Sequence, residues 1–351
     1  MNKVLLFFAS SQFIPFSKDI KVYGWQKTYD FHLVSSATMY LFEELNIIDN
    51  IVEKGKYNRP GDVLPKYYIT VHDTGDAEAS HTAKFWSDTV NKGYWEQGEY
   101  KASFQYVVGN DGIFHQIPDN EVAYHAGDGT KYGYTLLDSG LRGNNVKPVI
   151  TISKDGYYEI DGKKSIIQAP IAYIEENGKV VVNRNTITSD INSQGILCKN
   201  IKGVYYLGNT YFNQTYQKIA NRGGNNNSIG IESCINEKSD IYYTWQLTSK
   251  LVAKLMFENN LTIDDVVQHH YFSGKNCPQT MRENEMWHHF IDLVKFEYQM
   301  LLFKEEGYAI KFIMLSNNLM PNGRITKEGK VHFRLEVTYQ DQTETMEIIY
   351  Q

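Results

Sequence analysis

An α/β fold is predicted by two observations. Runs rich in β-branched and aromatic residues, at Tyr67 to His72, Ser103 to Val108, Ile113 to Gln116 and Ser228 to Ile235, read as strands. Longer segments at Thr244 to Asn259 and Thr280 to Phe303 read as helices, the first amphipathic with Leu247, Leu251, Val252, Leu255 and Met256 on one face. At 351 residues the chain is long enough for a large core and more than one module.

Residues 1–60 read as an N-terminal extension, with an apolar start followed by Ser36 to Leu45, where apolar positions recur at helical spacing. Arg59-Pro60-Gly61-Asp62 is turn chemistry and sets a boundary. Alternation then places His72 at the end of a strand, with Asp73-Thr74-Gly75 turning the chain. Ser80 is expected to cap a helix carrying Ala83, Phe85, Trp86 and Val90. Gly109-Asn110-Asp111-Gly112 predicts a hairpin, because Asn and Gly tolerate positive φ.

Between Thr130 and Asn226 the turn pairs Asp155-Gly156, Asp161-Gly162 and Asn177-Gly178 punctuate Val, Ile and Tyr runs, so 130–225 is expected to fold as a β-rich insertion. It leaves just after His125 and returns just before Glu232. After the last helix, 304–351 reads as a small accessory β region, its strands separated by Asn322-Gly323 and Glu328-Gly329.

A net charge of −6 with no basic stripe argues against a nucleic-acid partner. The 26 Tyr and 17 Phe fit core packing better than glycan stacking. Three cysteines make no disulfide framework. No stretch is long and apolar enough to span a bilayer, and the N-terminus is a poor signal peptide, so synthesis in the cytoplasm is expected. No oligomeric state is assigned.

The segment from Val267 to Cys277, followed by Pro278, holds the sharpest chemical signal. His269 and Cys277 lie across a turn, Lys275 stands two residues before the thiol, and His72 lies far upstream. Two imidazoles and a thiolate suit a three-ligand zinc site with a fourth position open for reaction, which points to hydrolysis.

Here the chain resembles the type 2 N-acetylmuramoyl-L-alanine amidases, zinc hydrolases that share their fold with the peptidoglycan recognition proteins. The matching segments are Tyr68 to Gly75, Ala102 to Gly112, Ile117-Pro118 through Ala123 to Gly129, Asn227 to Glu232, and His269 to Pro278. The resemblance implies a mostly central sheet with helices packed on it, formed by 61–129 and 226–303. It implies Zn2+ on His72, His269 and Cys277. The family's histidine lies eight residues before its cysteine, which selects His269 over His270.

By the same resemblance Glu232 is expected to act as the base, Lys275 to stabilise the oxyanion, and His125 to contact substrate. Some branches use a tyrosine where this chain has Phe104, which leaves Glu232 more work or Tyr106 an open role. His81 and His115 are expected to be structural, and His288 and His289 exposed. The implied partner is bacterial peptidoglycan, cleaved between N-acetylmuramic acid and L-alanine at the cell wall, as by a phage or prophage lysin. Alternatives are a muropeptide recognition module that does not cut, or a virion-associated structural protein with a lytic domain.

Overall fold

The computed structural model describes residues 2–10, 18–24, 28–33, 36–37, 39–95, 98–99, 101–127, 136–145, 148–168, 173–176, 179–182, 198–208, 224–273 and 275–350. A six-stranded sheet forms its centre, from β1 (Ile47–Asp49), β2 (Tyr68–Asp73), β3 (Tyr106–Gly109), β4 (Gly112–His115), β5 (Ser228–Ser233) and β6 (Val266–Gln268). Their spatial order is β6-β2-β5-β3-β4-β1. Only β3 and β4 pair antiparallel, as a hairpin; the other neighbours run parallel. The sheet is therefore mixed, and the central α/β architecture expected from the sequence is present.

Alternation along β2 and β5 sorts their side chains to opposite faces. Ile69, Val71, Ile229 and Ile231 enter the main core with helix α3 (Ile241–Glu258) and helix α6 (Trp287–Glu305). The opposite face carries Tyr68, Thr70 and His72 beside Ser228, Gly230 and Glu232, residue against residue in parallel register. On that side, helix α2 (Ala83–Lys92) packs Ala83, Trp86 and Val90 against Val107, Phe114 and Phe104. Both faces are covered, so all six residues of β2 are buried.

Several boundaries differ from expectation. Helix α2 is capped by Thr82, not Ser80; the Thr82 side chain accepts the Phe85 N–H, and Gly93 closes the helix with φ +74°. Helix α3 starts at Ile241 because Asp240 accepts the Tyr243 N–H at 3.0 Å. The expected single helix from Thr280 to Phe303 is two, α5 (Gln279–Glu283) and α6, parted by Glu285 at φ +59°. The break lets Met281 and Met286 both enter the core. In the β3–β4 hairpin only Gly112 takes positive φ (+138°), while Asn110 and Asp111 do not.

The helix expected over Ser36 to Leu45 does not form among the described residues. Ser36–Ala37 pairs instead with Arg324–Ile325 near the other end of the chain. Tyr40 and Leu41 lie buried in irregular chain against α3 and α6, where the Leu41 N–H donates to Glu297 and so uses the backbone that a helix would need. The helix of this region is α1 (Lys3–Ser10), whose Val4, Leu5 and Phe8 share a core with Phe296, Met300 and Phe303 of α6. That core is completed by Phe333, Leu335 and Val337 from the C-terminal sheet of β7 (Ala309–Met314), β8 (Val331–Tyr339) and β9 (Gln342–Tyr350). The two ends of the chain thus pack together.

Residues 136–208 contain short antiparallel strands with their own small core of Ile150, Ile152, Tyr158, Ile160, Tyr205 and Leu207. Gly156 and Gly162 take positive φ at the expected turns, whereas Asn177-Gly178 lies outside the described residues.

Candidate active site

The parallel strands β6, β2 and β5 end at one edge of the sheet, where open α/β folds place their ligands. His72 is the penultimate residue of β2. His269 follows β6 directly, and its N–H reaches the Val71 carbonyl at 3.3 Å. Cys277 comes from the loop after the short helix α4 (His270–Ser273). That loop is tied down by the His270 N–H on the Cys277 carbonyl, and by the buried Asp73 carboxylate, which accepts the Thr280 N–H at 2.7 Å.

The structure brings all three expected ligands together. His269 Nδ1 is 3.2 Å and Cys277 Sγ 3.7 Å from His72 Nδ1, and one donor atom from each residue lies within 4.8 Å of the others. All three side chains are buried. Zinc bonds of about 2.0–2.3 Å to nitrogen and sulfur match this spacing, and the donor set suits the ion, so the residues fit zinc. Burial holds both imidazoles well below their ordinary pKa, with the positive charge of Lys275 acting in the same direction on each. Both rings are therefore neutral and able to donate a lone pair. Burial pushes the Cys277 thiol up. His270 begins α4 and stands outside the cluster.

Above the donors lies a cleft of about 300 Å³, lined by Trp86, Ala102, Phe104, Glu232, Lys275 and Asn276 among others. Glu232 Oε1 is 3.7 Å from His72 Nδ1, while Oε2 is buried with no protein partner. Burial raises the Glu232 carboxyl to about 8, opposed by Lys275 and reinforced by Asp73. Lys275 is exposed at the rim.

His125 also borders the cleft, but its Nδ1 lies 2.9 Å from His72 Nε2. Its own Nε2 is buried with no hydrogen-bond partner, and the backbone of Ser228 and Gly224 favours the protonated ring. Burial outweighs them and lowers the His125 pKa to about 3.

Phe104 walls the cleft and brings no hydroxyl. Tyr106 faces the opposite side of the sheet, stacked on His115 with ring centroids 4.6 Å apart. His115 also meets Asp49, and His81 stacks on Phe85, as expected of structural residues. His289 is not exposed: it is half-buried, 2.8 Å from the Tyr242 hydroxyl. Sequence reasoning missed Asp73 as an anchor of the ligand loop, although its place directly after His72 was a visible signal.

The family model described as N-acetylmuramoyl-L-alanine amidase matches residues 63–280, more than half of the chain. The chain belongs to this amidase family. It is 22% identical over 237 residues to N-acetylmuramoyl-L-alanine amidase XlyA of Bacillus subtilis (strain 168), a match covering 68% of this chain and 48% of XlyA. To the amidase CwlH of the same organism it is 39% identical over 72 residues, 20% of this chain and 28% of CwlH. The chain therefore spans about half or less of these curated relatives. Among solved structures, the catalytic domain of XlyA matches at 20% identity and TM-score 0.41, covering 71% of this chain and 99% of that one. A mutant endolysin from Bacillus subtilis matches at 21% identity and TM-score 0.42, with 72% and 99% covered.

Proposed function

We propose that this chain is a zinc-dependent peptidoglycan amidase that hydrolyses the bond between the lactyl group of N-acetylmuramic acid and L-alanine of the stem peptide. The observation that carries this reading is the convergence of His72, His269 and Cys277 beneath a cleft that also holds Glu232 and Lys275. Bound zinc supplies Lewis acidity, which makes water nucleophilic near neutral pH and polarises a carbonyl. As the carboxylate, the form that the charge of a bound zinc would favour against the effect of burial, Glu232 takes the proton of the attacking water on its unpartnered Oε2 and returns it to the leaving amine. Lys275 at the rim donates to the oxyanion as charge develops there. Trp86 and Phe104 exclude water from one wall.

The catalytic body is formed by 61–129 and 226–303, the 130–225 insertion shapes wall recognition, and the enzyme serves as a phage or prophage lysin acting at the bacterial cell wall. A recognition module that does not cut is disfavoured by Cys277, which completes the donor set.

The test combines metal analysis with digestion of purified peptidoglycan by wild type and Cys277→Ser. About one zinc per wild-type chain is expected for a single site. New L-alanine amino termini should appear without new reducing sugar ends, and the variant should lose both zinc and release. Wild type that binds muropeptide but releases nothing would make recognition the function.

A further inference from the structure

We propose that His125 is a positioning residue that works through His72, accepting the Nε2 proton of that ring and so fixing which nitrogen is offered to the metal. The inference rests on the zinc-hydrolase reading above. His72 Nδ1 is the nitrogen that faces both His269 Nδ1 and Cys277 Sγ, at 3.2 and 3.7 Å. A ligating imidazole nitrogen carries no proton, so the proton of neutral His72 must sit on Nε2. Nε2 has His125 Nδ1 at 2.9 Å, with the two rings edge to face at 85°. For that contact to be a hydrogen bond, His125 Nδ1 must present its lone pair. The His125 proton then belongs on its other nitrogen, the buried Nε2.

The neighbouring sequence makes room for this ring. A Cβ at Gly230 would come within 2.6 Å of His125 Cγ and 2.7 Å of Cδ2. Gly230 sits inside β5, between Ile229 and Ile231, without positive φ, so space rather than backbone conformation calls for glycine there. The strand is further secured where the buried Gln105 side chain accepts the Gly230 N–H at 2.7 Å. With Nδ1 engaged by His72 and Nε2 buried, neither His125 nitrogen is free for substrate. Partners of this kind orient a metal-bound histidine and raise its basicity, and losing one typically weakens metal affinity or activity by about 10–100-fold.

The test measures zinc affinity of the full chain by competition with a chromophoric chelator, alongside KM and kcat on peptidoglycan fragments. His125→Leu should bind zinc about 10–100-fold more weakly, with KM of the zinc-loaded protein unchanged. His125→Asn, whose amide oxygen can take the place of Nδ1, should recover most of the affinity. Three results overturn the proposal: wild-type zinc affinity with raised KM in His125→Leu, which makes the residue a substrate contact; equal losses in Leu and Asn, which makes the ring mere packing; or, if His125→Leu does not fold, unchanged affinity in Gly230→Ala, which displaces the ring. If the wild type itself takes up no zinc, the hydrolase reading falls first and this inference with it.

Discussion

Glu232 stands directly across from His72 in the parallel pairing of β5 with β2, and its Oε1 lies 3.7 Å from His72 Nδ1. The register of two buried strands therefore sets the distance between Glu232 and His72, leaving little to side-chain flexibility. A one-residue slip would turn Glu232 to the opposite face. Glu232→Gln preserves shape and removes the proposed base. We expect kcat to fall by about 10²–10⁴, with zinc content unchanged by metal analysis. Zinc loss in this variant would instead assign Glu232 to metal binding.

Lys275 is exposed, so Lys275→Ala should leave thermal stability within about 0.5 kcal/mol of wild type. If it stabilises the oxyanion, kcat should drop by about 10²–10³ while KM changes little. A rise in KM at constant kcat would mark a ground-state contact. Steady-state kinetics on a soluble muropeptide separates the two.

Much of the site was legible because it lies at the ends of strands with plain alternation. Tyr67 to His72 and Ser228 to Ile235 announced their faces, and the His269 to Cys277 spacing announced the ligand loop. The helix expected over Ser36 to Leu45 failed for a reason no local pattern carries. Its buried residues meet α3, α6 and the C-terminal sheet, so a helical spacing of apolar residues was satisfied by irregular chain. The break at Glu285 is similar, since no Gly or Pro marks it and the burial of Met281 and Met286 decides it. The turn between β8 and β9 likewise uses Gln340 and Asp341 at φ +47° and +62°, without the Asn-Gly that advertises such turns.

Arg59 and Glu121 form a buried pair, with Arg59 Nε and Nη2 on the two carboxylate oxygens at 2.8 and 2.9 Å. The Arg59 hydrogen bonds hold the Glu121 carboxyl below its ordinary value of 4.5. Because the folded pKa is depressed, the unfolded chain binds the proton first as pH falls. The pair's contribution is thus complete above the ordinary value and is lost as pH drops through the folded pKa. Arg59→Leu strands the carboxylate and should cost about 3–5 kcal/mol at pH 7. Urea unfolding at pH 7 and in acid should show the variant's deficit shrinking in acid; a constant deficit would assign the loss to packing alone.

The insertion can be removed at a natural staple. The Asn225 N–H donates to the Ala126 carbonyl at 3.0 Å, and the Ala126 N–H donates to Asn225 Oδ1 at 2.7 Å, so the two stems are already adjacent. Tyr271, between His269 and Cys277 in sequence, packs on the small core of residues 136–208. Replacing 130–223 by a short Gly linker should leave zinc binding intact and change the preference among purified walls. Unchanged preference would reduce the insertion to an appendage, and lost zinc would show that it braces the ligand loop through Tyr271.

The irregular chain at Tyr40-Leu41 is held by an ion pair rather than by a strand. Lys250 of α3 and Glu297 of α6 meet at 3.0 Å, both largely buried. Glu297 Oε1 accepts the Leu41 N–H at 2.8 Å, and Lys250 Nζ donates to the Leu41 carbonyl at 2.8 Å while lying 4.1 Å over the Tyr40 ring. Glu297→Leu leaves a buried ammonium unpaired and should cost about 3–5 kcal/mol. Adding Lys250→Met removes that charge, and apolar replacement of a buried pair is often neutral. Here it should not be, because the Leu41 N–H and carbonyl both lose their partners at about 1–3 kcal/mol each. A double-mutant cycle by urea unfolding decides the point. Full recovery in the double variant would mean that water serves the Leu41 backbone; a residual deficit means that the pair exists to tie the N-terminal segment to the helices.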